Sequence, residues 1–275
     1  MKSFKATVSR FFSEPTSLIE VLRKLTSAPD ALLYEATEKG AVWIQEKGRG
    51  KTLRLRSPEK KINPLDVIYI YIDAKVLKFS EPHGVKLISE NKHYGIWIKP
   101  AGVVPQGTQT GDHASLLRYV EKQKNKEVFL IHRLDRETEG VMVVGYSSEA
   151  AAKLSKLFQD NKVKKIYEAI VLGELEKGLK RTIDLTLDDK EAITHFEVLG
   201  NQNGKSLLRI ELKTGRLHQI RRHLDGIGYP IIGDPKYGKN NKNRAGLKLL
   251  AFALSFEDPW TKKTETWQLE EHLSL

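Results

Sequence analysis

Apolar positions along the first 80 residues recur first at helical and then at strand spacing. Leu18, Val21, Leu22 and Leu25 form a stripe with the period of an amphipathic helix, and Thr16 or Ser17 offers a cap at its start. A second helix is expected over residues 31–39, closed by Gly40, after which residues 41–44 and 67–72 read as strands. The connection between those strands, KGRGKTLRLRSPEKK, is basic and glycine-containing, suited to phosphate contacts and equally to a mobile hairpin. Residues 74–84 read as a linker punctuated by Pro82 and Gly84.

From residue 85 onward strands dominate. Residues 94–98 form one that ends in the turn Lys99-Pro100-Ala101-Gly102, and residues 150–158 carry Ala151, Leu154, Leu157 and Phe158 at helical spacing. In KKIYEAIVLGE, Ile166, Ile170 and Leu172 lie on one face and Tyr167, Ala169 and Val171 on the other, the pattern of a strand buried on both sides with Tyr167 pointing inward. Leu208, Ile210 and Leu212 alternate with Arg209, Glu211 and Lys213, a strand with one wet face. The expected fold class is therefore α+β: a mixed, largely antiparallel sheet with flanking helices over residues 85–275, and a small α/β appendage over residues 1–80.

Charge narrows the partners. Lys plus Arg number 46 against 35 for Asp plus Glu, a formal net charge of +11, which attracts polyanions, nucleic acid being the commonest large one. With no cysteine, the chain has no disulfide framework, thiolate metal site or cysteine nucleophile. No window reaches the roughly 18 apolar residues of a membrane span, and the N-terminus lacks the apolar core of a signal peptide, so a cytoplasmic protein is expected.

Two segments carry candidate chemistry. In IHRLDRETEG, apolar runs flank a charged turn in which Asp135 sits between Arg133 and Arg136, so the turn is expected to join two buried strands. Neighbouring guanidinium groups favour an ionised carboxylate, able to act as nucleophile or electrostatic stabiliser; a structural ion pair would leave the same pattern. In TGRLHQIRRHL, Thr214 can cap a helix with the apolar stripe Leu217, Ile220 and Leu224, which places Arg216 in its first turn, able to reach a phosphate or the Asp135 carboxylate. His218 and His223 are five apart rather than the four that sets two imidazoles on one helix face, so no metal site is expected. Asp234, in IIGDPKYG, reads as a turn former, and residues 239–244, KNNKNR, as a flexible loop able to touch RNA backbone.

The chain resembles the RluA-type pseudouridine synthases in the runs 131–144, 165–174 and 212–238, in order and spacing, and in the Lys-Pro-Ala-Gly turn at 99–102. The resemblance implies isomerisation of uridine in structured ribosomal or transfer RNA with no cofactor, and nothing in the sequence demands more than a monomer. It makes Asp135 the catalytic residue, has Tyr167 pack on the target base, pairs Arg216 with Asp135, and has Arg133 hold the flipped nucleotide. Lys99, His132, Arg136, Gln219 and Arg221 join Arg133 as expected substrate-binding residues. The two helices and short strands of residues 1–80 are loosely similar to an S4-type RNA-binding module. Glu139, Ala251, Leu217 and Arg222 depart from the family pattern. A non-catalytic RNA-binding or ribosome-assembly protein on the same fold is the alternative, and a basic enzyme acting on a small phosphorylated substrate is a third.

Overall fold

The computed structural model describes the whole chain apart from residues 240, 242 and 244, so part of the 239–244 loop lies outside the described residues. It contains two compact units. One comprises residues 1–82 and 106–123, the other residues 83–105 and 124–275. Residues 106–123, which the sequence pattern assigns to the larger domain, thus belong with the smaller unit.

The smaller unit has strands β1 (Lys2–Thr7), β2 (Thr16–Ser17), β3 (Val42–Gln45), β4 (Leu53–Leu55), β5 (Lys61–Ile62) and β6 (Val67–Ile72). An antiparallel sheet runs in the order β1-β6-β3-β4, and β2 pairs with β5. Helices α1 (Leu18–Leu25) and α2 (Asp30–Glu38) occur where the periodicity puts them, with Leu18, Val21, Leu22 and Leu33 fully buried in one core with Ile68 and Ile70. Gly40 ends α2 at φ +78°, a left-handed conformation only glycine adopts cheaply. The expected linker instead opens with a helical turn, α3 (Ala74–Leu77), capped by the Asp73 carboxylate. Helix α4 (Leu116–Lys124) closes the second segment of this unit. That segment is tied in by polar contacts: the Trp43 indole N–H donates to the Gln109 carbonyl at 3.0 Å, and Asp112 accepts from Arg54 and Arg56.

The larger unit is built on one mixed sheet. Its strands are β7 (Lys86–Glu90), β8 (Tyr94–Lys99), β9 (Phe129–Leu130), β10 (Glu139–Gly145), β11 (Lys164–Leu172), β12 (Lys180–Asp184), β13 (Ile193–Gln202), β14 (Lys205–Leu212), β15 (Leu249–Glu257) and β16 (Thr264–Gln268). The order is β12-β13-β14-β11-β15-β10-β8-β7, with β16 on β15 and β9 on β10. Every ladder is antiparallel except β10 with β15, which agrees with the expected largely antiparallel α+β fold. Helix α5 (Ser148–Gln159) is capped by Ser147 and buries Ala150 and Leu154. Helix α6 (Gln219–Gly226) places Ile220 and Leu224 in a core with Ala169, Leu208 and Ile210.

Two irregularities shape the middle of the sheet. Between Ile166 and Glu168 the β11–β15 register slips, so Ala251 and Phe252 together face Tyr167, a bulge that re-aims side chains. Beside it Gly140, at φ +136°, lets β10 approach β15 so closely that a Cβ there would sit 2.2 Å from the Ala251 carbonyl oxygen. Among the described residues, no helix is long and apolar enough to cross a membrane.

Candidate active site

The charged turn 131–138 joins β9 to β10, as its flanking apolar runs imply, and its backbone is pinned from several sides. Ile131, Leu134 and Thr138 are buried, and the Thr138 N–H donates to the Asp135 carbonyl at 3.2 Å. His132 stacks on Phe158 at 4.4 Å, and its Nε2 accepts the Val143 N–H at 3.1 Å. Burial, helped by the charge of Lys165, pushes its imidazole down to about 3, so the ring is neutral and its Nε2 already engaged. His132 is therefore a packed, turn-fixing residue rather than the substrate contact expected from the sequence.

Lys99 is also corrected. It is completely buried, and its Nζ donates to the carbonyls of Pro100 (2.9 Å), Val103 (2.8 Å) and Arg136 (3.2 Å), so all three ammonium protons are taken. Burial pushes it down to about 8, against the opposing pull of Glu137, Glu139 and Asp135. Its contribution is to lock the 99–103 turn to the Asp135 turn. The Gly102 N–H donating to the Arg136 carbonyl at 2.8 Å and Arg136 Nε donating back to the Gly102 carbonyl at 3.2 Å complete that lock. Arg133 is exposed.

The guanidinium that meets Asp135 is Arg221, not Arg216. Arg221 is 2% exposed, and its Nη1 donates to Asp135 Oδ2 at 2.8 Å. Its Nε and Nη2 grip Asp234 bidentately at 2.7 and 2.8 Å. Burial alone would lower the Arg221 pKa, but the hydrogen bonds to Asp234 and Asp135 outweigh it and hold the group above its ordinary value. Asp234 shows the mirror image: burial opposes its charge, and the Arg221 bonds still leave it below the usual carboxylate range.

Arg216 lies in the loop before α6 and donates through Nε to the Glu191 carbonyl at 2.9 Å. The reason is local. The helix starts at Gln219 rather than after Thr214, because the buried Gln219 side chain organises the loop. Its Oε1 accepts from Thr214 Oγ1 (2.8 Å) and the Arg216 N–H (2.9 Å), and its Nε2 donates to the Ile193 carbonyl and Thr194 Oγ1, both at 3.0 Å. Gln219 is thereby saturated within the protein, and it too is a supporting residue rather than a substrate contact.

Tyr167 is half-buried, and burial, reinforced by the negative charge of Asp135, raises its phenol well above the ordinary value. Asp135, held by Arg221, thus lies within electrostatic reach of a neutral aromatic hydroxyl, Tyr167. Among the described residues no cluster of His, Cys, Asp and Glu has the arrangement of a metal centre.

A family model for RNA pseudouridylate synthases matches residues 93–225, which span the Asp135 turn, the Tyr167 strand and the Arg221 helix. A ribosomal large subunit pseudouridine synthase D of Buchnera aphidicola is 32% identical over 245 residues, covering 76% of this chain and 78% of the relative. The chain belongs to the RluA-type RNA pseudouridine synthase family. A ribosomal large subunit pseudouridine synthase D of Pseudomonas aeruginosa is 37% identical over 173 residues, 56% of this chain and 53% of the relative, so the match spans about half the length of that protein. Human RNA pseudouridylate synthase domain containing 1 shares the fold, with a TM-score of 0.60 at 20% identity over 70% of this chain and 86% of that one.

The positions that depart from the pseudouridine synthase pattern are spread around this site. Ala251 is buried and forms the floor against Gly140; Glu139 is exposed at the start of β10. Arg222 pairs with Asp188 at 2.8 and 3.0 Å, and Leu217, beside His218, is 65% exposed. None of them occupies the space between Arg221 and Asp135, whose 2.8 Å contact is direct.

Proposed function

We propose that this protein is an RNA pseudouridine synthase, isomerising uridine in structured ribosomal or transfer RNA in the cytoplasm. The observation that carries the reading is the Asp135 carboxylate. One oxygen is held by a buried guanidinium, while the side chain keeps 23% of its surface open to a reacting partner. Family membership supplies the reaction, and the neutral Tyr167 phenol beside that charge supplies an apolar ring for a base to lie on.

In the proposed reaction a uridine is first extruded from its stack, which costs a few kcal/mol and is offset by packing on Tyr167. Asp135 then acts at the ribose. It stabilises or captures the cationic carbon as the C1′–N1 bond breaks and its electron pair leaves with N1, the role carboxylates fill in glycosidic cleavage. The uracil turns while bound, C5 bonds to C1′, the C5 proton is lost and N1 gains one. Atoms and electrons balance within the nucleoside, so the isomerisation is redox-neutral. Arg133, exposed beside Asp135 in sequence, is assigned to the RNA backbone.

The smaller unit is proposed to add RNA affinity. Arg54 stacks over Trp43 at 4.0 Å, and Lys47, Arg49 and Lys51 are exposed together on the turn after β3, which suits phosphate contacts. The chain is proposed to act as a monomer.

The test is Asp135→Asn, assayed by tritium release from C5-labelled uridine in RNA. Loss of release with RNA affinity kept within about twofold is expected, because the shape is retained and the charge removed. Wild-type turnover by this variant would refute the role.

A further inference from the structure

We propose that His218 and Tyr237 form a second handle on the Asp135 carboxylate, a positioning pair that orients its free oxygen, Oδ1, toward the substrate sugar. The inference rests on reading Asp135 as the reacting group. Arg221 accounts for Oδ2 only. Across from it, His218 Nε2 stands 3.7 Å from Oδ1, and His218 Nδ1 is 3.0 Å from the Tyr237 hydroxyl.

The backbone is bent to bring the imidazole there. His218 immediately precedes α6 at φ +51°, ψ +30°, a left-handed conformation that costs a non-glycine residue about 1 kcal/mol. Such strain persists only where surrounding contacts enforce it, and the saturated Gln219 side chain does so from the next position. Tyr237 is equally fixed. Asp234 Oδ1 accepts the backbone N–H of Lys236 (2.8 Å) and of Tyr237 (3.0 Å), and the Tyr237 ring meets His218 edge-on at 5.7 Å and 81°. The Arg221 guanidinium lies 5.3 Å from the same ring. Asp135, Arg221, Asp234, Tyr237 and His218 therefore close a circuit, in which Asp234 sets both partners of the reacting carboxylate.

The chemistry of the circuit follows from the tautomer. When the Tyr237 hydroxyl donates to Nδ1, the one proton of a neutral imidazole sits on Nε2, facing Oδ1. At 3.7 Å this is not yet a hydrogen bond, and a small rotation of the carboxylate makes it one. The groups facing His218 are Asp135 on its turn, Arg221 on α6, and Asp234, Lys236 and Tyr237 on the 231–238 loop. Burial, with Arg221 and Lys236, outweighs the two carboxylates and lowers the imidazole below its ordinary value. A neutral donor steers Oδ1 without neutralising it. An imidazolium would instead clamp the oxygen that the sugar requires.

Two measurements test the proposal. The first needs no activity: imidazole nitrogen NMR of the full chain should show Nε2 protonated in neutral His218, and its titration midpoint should fall in Asp135→Asn, because the carboxylate that favours the imidazolium is gone. A midpoint unmoved by Asp135→Asn overturns the proposal. The second is kinetic. His218→Ala should lower kcat by roughly 100-fold, the scale of a misplaced reacting group, with KM within about twofold. His218→Gln, which returns an N–H near the Nε2 position, should recover most of that loss and extend activity to lower pH than wild type. Tyr237→Phe should lower kcat in the wild-type background and add nothing to His218→Ala. Wild-type kcat in His218→Ala, or full additivity with Tyr237→Phe, sinks the positioning role while leaving Asp135 as the reacting group. Absence of pseudouridine formation by the wild-type protein sinks the functional reading instead, and the NMR result still decides whether His218 serves Asp135.

Discussion

Replacing Arg221 and replacing Arg216 should have opposite consequences, although the two arginines stand five positions apart in one motif. Arg221 and Asp234 are 2% and 0% exposed, and deleting one partner of a buried pair leaves an uncompensated charge, a cost of about 3–5 kcal/mol. Arg221→Met should therefore lower Tm by about 6–20 °C for a domain of this size and abolish pseudouridine formation. In the double variant Arg221→Met/Asp234→Asn the stranded charge is gone, while Asn can still accept the Lys236 and Tyr237 N–H groups. Most of the stability should return, but kcat should stay about 100-fold down because Asp135 Oδ2 has no cationic partner. Arg216→Met removes one exposed bond to a carbonyl, a loss of about 1 kcal/mol or less, and should leave the rate within about threefold. Thermal unfolding by circular dichroism, with single-turnover assays on RNA, reads both quantities. A dead Arg216→Met beside a fully active double variant would refute the reasoning.

Gly140→Ala would drive a Cβ to 2.2 Å from the Ala251 carbonyl oxygen at a backbone φ of +136°, so a loss of about 3 kcal/mol or more in urea unfolding is expected; a loss below about 1 kcal/mol would mean the β10–β15 approach is not that tight. His132 is held down to about 3 in the fold against 6.5 when free. Below pH 6.5 the unfolded chain therefore binds a proton the folded one refuses, and stability drains away as pH falls toward 3, by about 2 kcal/mol at pH 5. His132→Gln should flatten that acid slope between pH 7 and 5, and an unchanged slope assigns it elsewhere. Lys99→Met leaves three carbonyls without their donor and should lower kcat about tenfold with the fold kept. Because Lys99 is depressed to about 8, its charge penalty is fully present below pH 8 and is relieved toward pH 10.5, so wild type should gain stability over Lys99→Met in that window.

What the sequence carries plainly is whatever buries a regular stripe. Helix α1 carries a four-residue apolar stripe and strand β6 buries Ile68, Ile70 and Ile72 at period two, and both fall where those patterns predict. Strand β1 escapes it: KSFKAT buries only Ala6 fully, and its place on β6 comes from backbone pairing that leaves no apolar alternation to read. The Asp135 turn is legible for the opposite reason, a charged run cut into two apolar ones. Residues 106–123 are different again, since polar contacts such as Asp112 with Arg54 and Arg56 assign them, and no periodicity encodes those.

The exchange of Arg216 for Arg221 shows what the motif does encode once burial is weighed. Within α6, Arg221 stands three positions before the buried Leu224 and next to the buried Ile220, so it falls on the face the helix buries, whereas Arg222 turns outward to Asp188. A guanidinium on a buried stripe demands a buried acid, and Asp234, readable only as a turn former when taken alone, is that acid. The grip on Asp234 leaves the Arg221 Nη1 amino group unused, and that group donates to Asp135. Starting the helix at Thr214 hides this, because it places Arg216 in a first turn that does not form. The start is displaced by His218 in its left-handed conformation and by the Gln219 side chain, contacts between positions 193, 194, 214 and 219 that exist only after β13 and β14 have paired. The Asp135 carboxylate is thus a local message of the chain, while its partner is a tertiary one, settled by which arginine the finished sheet and helix leave no water to solvate.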